Sequence, residues 1–197
     1  METILRKNFY SRSPVRVARD LIGKLLVRKL NEDTRLDGII VETEAYGGAC
    51  DPASHAYRGM TKRNEVMFGE SGYAYIYFTY GFHHCLNFVT GTKGTASAVL
   101  IRALDPRSGL ETMQALRKKT AANDIASGPG KLCQALSIDL KLNGIDITSS
   151  SSPIYVVDIK EKPVVKVSSR IGVSSGSDRK WRFYVLDNPN VSKHRPS

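Results

Sequence analysis

The sequence predicts one α+β domain, in which an antiparallel β-sheet is combined with short helices. The chain has 197 residues, enough for one domain with a sizeable core but not for two comfortable ones. Short apolar or alternating segments, separated by turn residues, recur along the chain and are typical of strands. Helix-start signals stand between these segments, and neither an internal repeat nor a linker divides residues 1–197.

The composition is that of a globular protein, and we expect no membrane partner. Hydrophobic residues make up 41% and charged residues 24%, and no apolar run approaches the length of a membrane span. The first residues lack the apolar core of a signal peptide, so we expect a cytoplasmic protein. The three cysteines form no Cys-x-x-Cys pair, so we expect neither a disulfide framework nor structural zinc. We also expect no cofactor.

The charge balance points to a polyanionic partner. The formal net charge is +10 and the pI is about 9.6. A basic domain of this size is typical of nucleic-acid binding, which is the first candidate. Charge alone leaves open the alternative of a basic protein that has no polyanionic partner.

The first half of the chain is predicted to hold a helix and two paired strands. Ser13-Pro14 fits a capping serine with proline at the first helical position, and Gly23 fits the end of that helix. Residues 24–30 and 35–44 are predicted as an antiparallel pair around the turn at 31–33. The polar stretch 45–68 follows as a long loop, and loops of this length in compact domains are often functional. It carries a histidine and a cluster of cations, namely His55, Arg58, Lys62 and Arg63.

The second half is predicted to alternate between strands and helices. The predicted strands cover 73–78, 85–90, 98–104, 154–159, 164–167 and 181–186, with a hairpin turn at 91–94. Ser108-Gly-Leu-Glu111 fits a capping box that opens a helix toward Lys119. Ser127 to Lys131 resembles a phosphate-binding helix start, although it lacks the P-loop spacing and fits a plain helix start equally well.

The strand end at residues 41–46 is the first candidate for chemistry. Period-two alternation places Glu42, Glu44 and Tyr46 on one face and Val41, Thr43 and Ala45 on the other. A carboxylate at the end of a buried strand suits a general base, but it also suits a solvated strand end or an ion pair with arginine. Arg102 lies within an apolar strand and must find a partner, for which Glu44 or Glu42 is the expected choice.

Aromatic residues at 73–82 suggest a second element of a binding surface. The turn Tyr80-Gly81-Phe82 is predicted to expose its rings, which suits base stacking or a wedge in a duplex. The tyrosines at 73, 75 and 77 alternate along a strand, and such a stripe is more often core packing.

Seven motifs in one order resemble the alkyladenine (3-methyladenine) DNA glycosylase family over about residues 8–192. They are Val-Glu-Thr-Glu-Ala-Tyr (41–46), Asp-Pro-Ala-Ser-His (51–55), Tyr-Phe-Thr-Tyr-Gly-Phe (77–82), Cys-Leu-Asn (85–87), Val-Leu-Ile-Arg-Ala-Leu (99–104), Ser-Gly-Pro-Gly-Lys-Leu-Cys-Gln-Ala-Leu (127–136) and Arg-Phe-Tyr-Val (182–185). The resemblance implies a single mixed domain around a curved antiparallel sheet, in a compact bacterial-type monomer that acts on chromosomal DNA. It also implies removal of 3-methyladenine, 7-methylguanine, hypoxanthine and ethenoadenine from duplex DNA by base flipping and hydrolysis of the N-glycosidic bond.

The resemblance also implies a role for each matching residue. Glu44 would activate the attacking water, and Arg102 would help to position both Glu44 and the water. The flipped base would be held by Tyr46, Tyr77 and His55, while Asn87 would exclude normal guanine by a clash and Tyr80 would fill the gap in the duplex. The candidates for contacts with the DNA backbone are Arg58, Arg63, Lys131 and Arg182. No metal is implied, and the neighbours His83 and His84 are not expected to share one because adjacent strand residues point to opposite faces.

A non-catalytic module that binds damaged nucleic acid is the alternative function. Such a module needs the basic face and Tyr80 but no carboxylate. The joint presence of five residues therefore favours an enzyme, namely Glu44, Arg102, Tyr46, His55 and Asn87. A lyase would need an amine nucleophile that forms a Schiff base. No lysine falls at a catalytic position that the resemblance implies, so we expect no strand cleavage.

Overall fold

The computed structural model describes residues 3–192 as one antiparallel sheet of nine strands with four α-helices beside it. The helices are α1 (Lys7–Tyr10), α2 (Pro14–Leu21), α3 (Leu110–Arg117) and α4 (Pro129–Ala135). The strands are β1 (Thr3–Ile4), β2 (Leu25–Lys29), β3 (Arg35–Tyr46), β4 (Ala74–Thr79), β5 (His83–Thr90), β6 (Ser97–Ser108), β7 (Ile154–Asp158), β8 (Val165–Ser168) and β9 (Arg182–Val185). Helices and antiparallel strands together confirm the predicted α+β class.

Strand β3 lies at the centre of the sheet, which has the order β1-β7-β2-β3-β6-β5-β4. One edge of β3 pairs along most of its length with β6. The other edge pairs first with β2, through residues 35–39, and then with β9, through residues 42–44. The second half of β3 therefore has hydrogen-bonded neighbours on both sides, which fixes the backbone that carries Glu42 and Glu44.

The main core lies between the sheet and the helices. Fully buried side chains from α2 pack against β3, and residues of α4 pack against β5. The start of α2 follows the prediction, since the Ser13 hydroxyl accepts a hydrogen bond from the backbone N–H of Arg16. A smaller apolar cluster covers the other face of the sheet around Val27, Ile39 and Val41.

The structure differs from the sequence-based prediction at three elements. Strand β1 and helix α1 are present but were not predicted, because segments of two and four residues are too short to show a periodic pattern. The capping box at Ser108 is wrong, because β6 continues through Ser108. Helix α3 instead begins after Gly109, whose φ of +77° places it in the left-handed region where glycine carries no steric penalty.

A pair of bulges interrupts the ladder between β3 and β6 beside the two glutamates. Ile40 pairs with Leu104 and Thr43 with Ile101, whereas between them the only registered pair is Glu42 with Ala103. Each strand thus has one extra residue, and Val41 packs in the cluster on the face away from the helices. The predicted placement of Val41 on the face of Thr43 is therefore wrong, since Thr43 donates to the Ala18 carbonyl of α2 on the helix side. Bulges beside active sites commonly re-aim side chains in this way.

None of the helices within residues 3–192 is both long enough and apolar enough to span a membrane.

Candidate active site

Two glutamates and two arginines, Arg102 and Arg182, form a buried ionic cluster at the centre of the sheet. The Arg102 guanidinium donates from Nε to Glu42 Oε1 at 2.9 Å and from Nη1 to Glu44 Oε2 at 3.2 Å. Both carboxylates are completely buried, and the Arg102 side chain is 9% exposed. The structure therefore brings Arg102 to both candidate partners, as predicted, and one cation serves two carboxylates.

Glu42 is held by donors on both of its oxygens. Oε1 accepts from Arg102, from Arg182 Nε at 2.6 Å and from the Ser192 hydroxyl at 2.8 Å, while Oε2 accepts from the Ser192 backbone N–H. Burial alone would raise the pKa of Glu42, but the two guanidinium groups and these hydrogen bonds hold that pKa below its usual value. Glu42 is thus an ionised structural anchor with little capacity left for a substrate or a water molecule.

Glu44 has a different set of partners, which link it to the neighbouring cleft. Oε2 accepts from the Tyr46 hydroxyl at 2.9 Å and from Arg102, and Oε1 accepts from the backbone N–H of Ile171 at 2.8 Å. Burial raises the pKa of Tyr46, and the adjacent Glu44 raises it further, so the phenol keeps its proton and donates it to the hydrogen bond. All three partners of Glu44 therefore donate a hydrogen bond to it.

A cleft of about 530 Å³ opens directly beside this cluster. Tyr46 and Arg102 line it, and both also contact Glu44, which itself lies just behind that wall. Residues 171–174 form another part of the wall and carry the N–H that binds Glu44. The volume is typical of a pocket for one small organic group, such as a nucleobase.

Aromatic rings form one side of the cleft. His55 and Tyr77 meet edge to face with their centroids 4.5 Å apart, and His55 Nδ1 lies 2.9 Å from the Tyr75 hydroxyl. Burial lowers the pKa of His55 and the charge of Arg63 adds to that effect, so the imidazole is neutral at pH 7. Tyr46 lines the same cleft, so the structure gathers all three predicted base-stacking residues around it.

Asn87 lies on the floor of the cleft and is fixed by the backbone. Its Nδ2 donates to the carbonyls of Tyr75 at 3.0 Å and of Cys85 at 3.3 Å, and the residue is 4% exposed. A side chain held in this way cannot swing aside at low cost, so it can act as a steric filter.

The turn between β4 and β5 projects an aromatic residue at the mouth of the same cleft. Tyr80 is 79% exposed and lines the cleft, and its φ of +53° lies in the left-handed region. A non-glycine residue in that region carries strain of about 1 kcal/mol or more. An exposed ring held at such a cost, next to a pocket, fits the predicted contact surface.

The four predicted cations fall into different surroundings. Arg58 and Arg63 are exposed, and Arg63 lies 5.3 Å from the Tyr77 ring centroid while it donates to the Phe78 carbonyl. Lys131 is partly exposed but forms an ion pair with Asp124. Arg182 does not fit a contact with DNA, because its side chain is only 7% exposed and is bonded to Glu42 within the sheet.

Several residues of the site were not predicted from the sequence. Arg170 and Asp51 form an ion pair in which both side chains are fully buried, and Ile171 and Ser192 bind the two glutamates through their backbone N–H groups. Asp51 belongs to the motif Asp-Pro-Ala-Ser-His, on which the family resemblance partly depends. The residues around Asp51 and Arg170, however, give no sign that the two are partners, since they lie more than a hundred residues apart in the chain. Backbone donors carry no sequence signal at all.

Residues 3–192 contain no group of three or more histidine, cysteine, aspartate or glutamate side chains arranged to hold a metal ion. The rings of His83 and His84 instead contact those of Phe82 and Phe78. The arrangement of a buried carboxylate beside a cleft lined by aromatic rings offers proton abstraction and stabilisation of a developing positive charge.

Comparison with known proteins gives a consistent family. Residues 8–189 match the sequence model of methylpurine-DNA glycosylases. A protein of Carboxydothermus hydrogenoformans is 50% identical over 194 residues, which cover 96% of this chain and 99% of the relative, and one of Methanocella arvoryzae is 50% identical over 98% of both chains. One of Chlorobium luteolum is 42% identical over 99% of this chain and 100% of its own. All three bear the name "Putative 3-methyladenine DNA glycosylase".

Proposed function

The chain belongs to the methylpurine-DNA glycosylase family, and on that premise we propose that it is a DNA-repair hydrolase that removes damaged purines from duplex DNA. Water attacks C1′ of the deoxyribose, the C1′–N9 bond breaks, and its electron pair leaves with the purine. The products are the free base and an abasic site. The observation that carries the proposal is the buried carboxylate of Glu44, bound to Tyr46 and Arg102 in the wall of an aromatic cleft.

The cleft is suited to a purine turned out of the helix. A base that enters it would lie among Tyr46, Tyr77 and His55, whose rings offer stacking surfaces. Alkylated purines are electron-poor or cationic and therefore stack well on electron-rich rings. Flipping costs a few kcal/mol, and least at a damaged pair, so part of the selectivity comes from the lesion itself. Recognition by stacking and by ease of flipping does not depend on one particular base, so we propose a range of substrates: 3-methyladenine, 7-methylguanine, hypoxanthine and ethenoadenine.

Glu44 would serve as the general base for the attacking water. The transition state has oxocarbenium character, so the negative charge of Glu44 would also stabilise the positive charge that develops on the sugar. Its present partners Tyr46, Arg102 and Ile171 are all donors, and they fix the direction of the carboxylate. Pre-organised charge of this kind needs no rearrangement during the reaction.

We propose that the enzyme is a monofunctional monomer, which leaves the DNA strand intact. Among the described residues, none of the side chains that line the cleft is a lysine that could form a Schiff base. Arg58 and Arg63 are exposed, and Arg63 contacts the ring of Tyr77 in the cleft wall, so these two are the best candidates for contacts with phosphates.

The direct test is single-turnover excision from a duplex that carries one hypoxanthine or one ethenoadenine. We expect release of the free base, and strand breakage only after alkali treatment of the abasic site. Tight binding of the lesion without release of hypoxanthine, ethenoadenine or a methylated purine would instead favour a non-catalytic damage-binding module. Breakage without alkali would contradict the monofunctional mechanism.

Asn87→Ala is expected to relax discrimination against normal guanine. Without the fixed amide, the exocyclic amine of guanine meets less steric resistance, and a difference of one small group in a pocket is worth about 10-fold or more in rate. The ratio of guanine to hypoxanthine excision, measured in single turnovers, should rise by about that factor. Asn123→Ala on the exposed surface is the control, and an unchanged ratio in Asn87→Ala would contradict the role of Asn87 as a filter.

Tyr80→Ala is expected to slow excision from duplex DNA more than from single-stranded DNA. A ring that replaces the flipped base in the stack contributes roughly 1–3 kcal/mol, which corresponds to at least about 5-fold in the population of the flipped state. A single strand has no stack to fill. The measurement is the ratio of the two single-turnover rates, with exposed Leu186→Ala as control; an equal loss on both substrates would argue against a wedge.

A further inference from the structure

Arg170 is buried next to the residues that form the cleft wall. The proposed reaction assigns it no role so far. The residue is 3% exposed, and its guanidinium donates two hydrogen bonds to the Asp51 carboxylate, from Nη1 to Oδ2 at 2.5 Å and from Nη2 to Oδ1 at 2.8 Å. The same two nitrogens also donate to the carbonyls of Ala45 at 3.0 Å and Gly176 at 3.1 Å. One side chain thus ties together the end of β3, the loop after it and the segment around 170–176.

From these contacts, and resting on the proposed glycosylase function, we propose that the Arg170–Asp51 pair is a positioning clamp for both halves of the active site. One half is the base pocket, through Tyr46 and the loop that leads to His55. The other half is Glu44, through the backbone N–H of Ile171, the residue next to Arg170. The clamp touches neither the base nor the sugar and acts through the groups that do.

The link to the base pocket has two parts. The Arg170 guanidinium lies 4.8 Å from the Tyr46 ring centroid and 5.3 Å from that of Trp181, so it supports the ring that would stack on the base. Asp51 in turn accepts from the backbone N–H groups of Gly47 at 3.0 Å and Ala53 at 3.2 Å. These bonds fix the turn from β3 into the cleft wall at residues 52–55.

The link to Glu44 passes through a single peptide unit. Arg170 is fixed by four hydrogen bonds, and the next N–H along the chain, that of Ile171, donates to Glu44 Oε1 at 2.8 Å. Residues 171–174 also line the cleft. A shift of Arg170 would therefore move both the cleft wall and a donor to the catalytic carboxylate.

A contribution to the stability of the fold does not by itself explain why an ion pair is buried here. Both side chains have no solvent exposure, and the desolvation of two buried charges offsets most or all of their attraction. A well-packed apolar pair of similar volume is often just as stable. A bidentate arginine does, however, fix direction in a way that an apolar pair or a lysine cannot, which is what a positioning role requires.

The test compares Arg170→Lys with the native protein in three measurements: excision rate at saturating protein, Kd for the lesion duplex, and free energy of unfolding. Lysine keeps the charge opposite Asp51 but cannot hold both of its oxygens together with the carbonyls of Ala45 and Gly176. We expect the excision rate to fall about 100-fold, because misplacement of a reacting group by about 1 Å has that effect. The Kd should change much less than the rate.

Lys24→Met is the matched control, since it removes an ion pair of 2.7 Å with Asp158 that lies away from the cleft. It should lose stability without losing excision rate. If Arg170→Lys does not fold, Asp51→Asn combined with Arg170→Met leaves no unpaired buried charge and takes its place, with the same expected loss of rate. A native excision rate in the folded variant would overturn the clamp and leave the glycosylase proposal intact, whereas no excision by the native protein would overturn both.

Discussion

Glu44→Gln is expected to lower the single-turnover excision rate by roughly 10³-fold, within the range of about 10²–10⁴ that a positioned general base contributes. Glutamine has nearly the same shape and keeps one oxygen to accept from Arg102 or Ile171. It cannot take a proton from water, and it brings no negative charge to the sugar as positive charge develops. Rates of hypoxanthine release from a lesion duplex, measured with protein in excess, give the comparison.

Binding must be measured in the same samples, because a misfolded variant would also lose activity. We expect the Kd of Glu44→Gln for the lesion duplex to stay close to the native value, since the cleft and the exposed cations are unchanged. Glu111→Gln, on the exposed surface of α3, is the control and should excise at the native rate. If Glu44→Gln retains most of its excision rate, another group must activate the water and the proposed mechanism is wrong.

The choice between Glu42 and Glu44 illustrates how the structure adds to the sequence. Alternation along β3 correctly predicted that both lie on one face with Tyr46, but it could not rank them as bases. The structure distinguishes them by their partners. Glu42 is bound by two guanidinium groups and Ser192, whereas Glu44 contacts three residues of the cleft wall, namely Tyr46, Arg102 and Ile171. This difference is the reason why we propose Glu44, and not Glu42, as the base.

The local part of the fold could be predicted from the sequence, since capping residues, turns and strand patterns act over a few positions. The helix at Pro14 and the pairing of β2 with β3 are examples. The paired bulges at Val41 and Arg102 could not be predicted, because no glycine or proline marks them and simple alternation runs straight through both sites. They place Glu42 and Arg102 on one face, so this part of the site depends on a departure from the regular pattern.

Long-range partners were the other feature beyond the reach of sequence patterns. The ion pair of Asp51 with Arg170 spans 119 residues, and the bond from Ser192 to Glu42 spans 150. Such contacts arise from the packing of whole elements and leave no periodic trace in the sequence. An arginine at the position of Arg170, in a polar loop, looks like any solvated cation until the fold buries it.

Arg102→Met is expected to destabilise the protein by about 3–5 kcal/mol at pH 8, because the loss of one partner from a buried ion pair leaves an uncompensated charge. Arg102 serves two fully buried carboxylates, so its loss acts on both. Excision should be lost as well, since a donor that orients Glu44 disappears. Urea unfolding followed at several pH values gives the free energy, and the single-turnover assay gives the rate.

The pH dependence separates this explanation from a simple packing defect. In the native protein the pKa of Glu42 is lowered, so its contribution to stability is present above the unfolded pKa of about 4.3 and is lost as the pH falls through the folded value. In Arg102→Met, Glu42 stays buried beside a second carboxylate but has lost one guanidinium. Its pKa should therefore rise above the unfolded value. The folded state of the variant then binds more protons than the unfolded state. The stability of the variant should therefore fall as the pH rises from about 4 to 8, and its deficit relative to the native protein should widen over that range.

Arg107→Met, which removes an exposed contact of 3.8 Å with Asp105, should cost less than about 1 kcal/mol at every pH. A deficit in Arg102→Met that does not change with pH would mean that lost packing, and not unpaired charge, explains the effect.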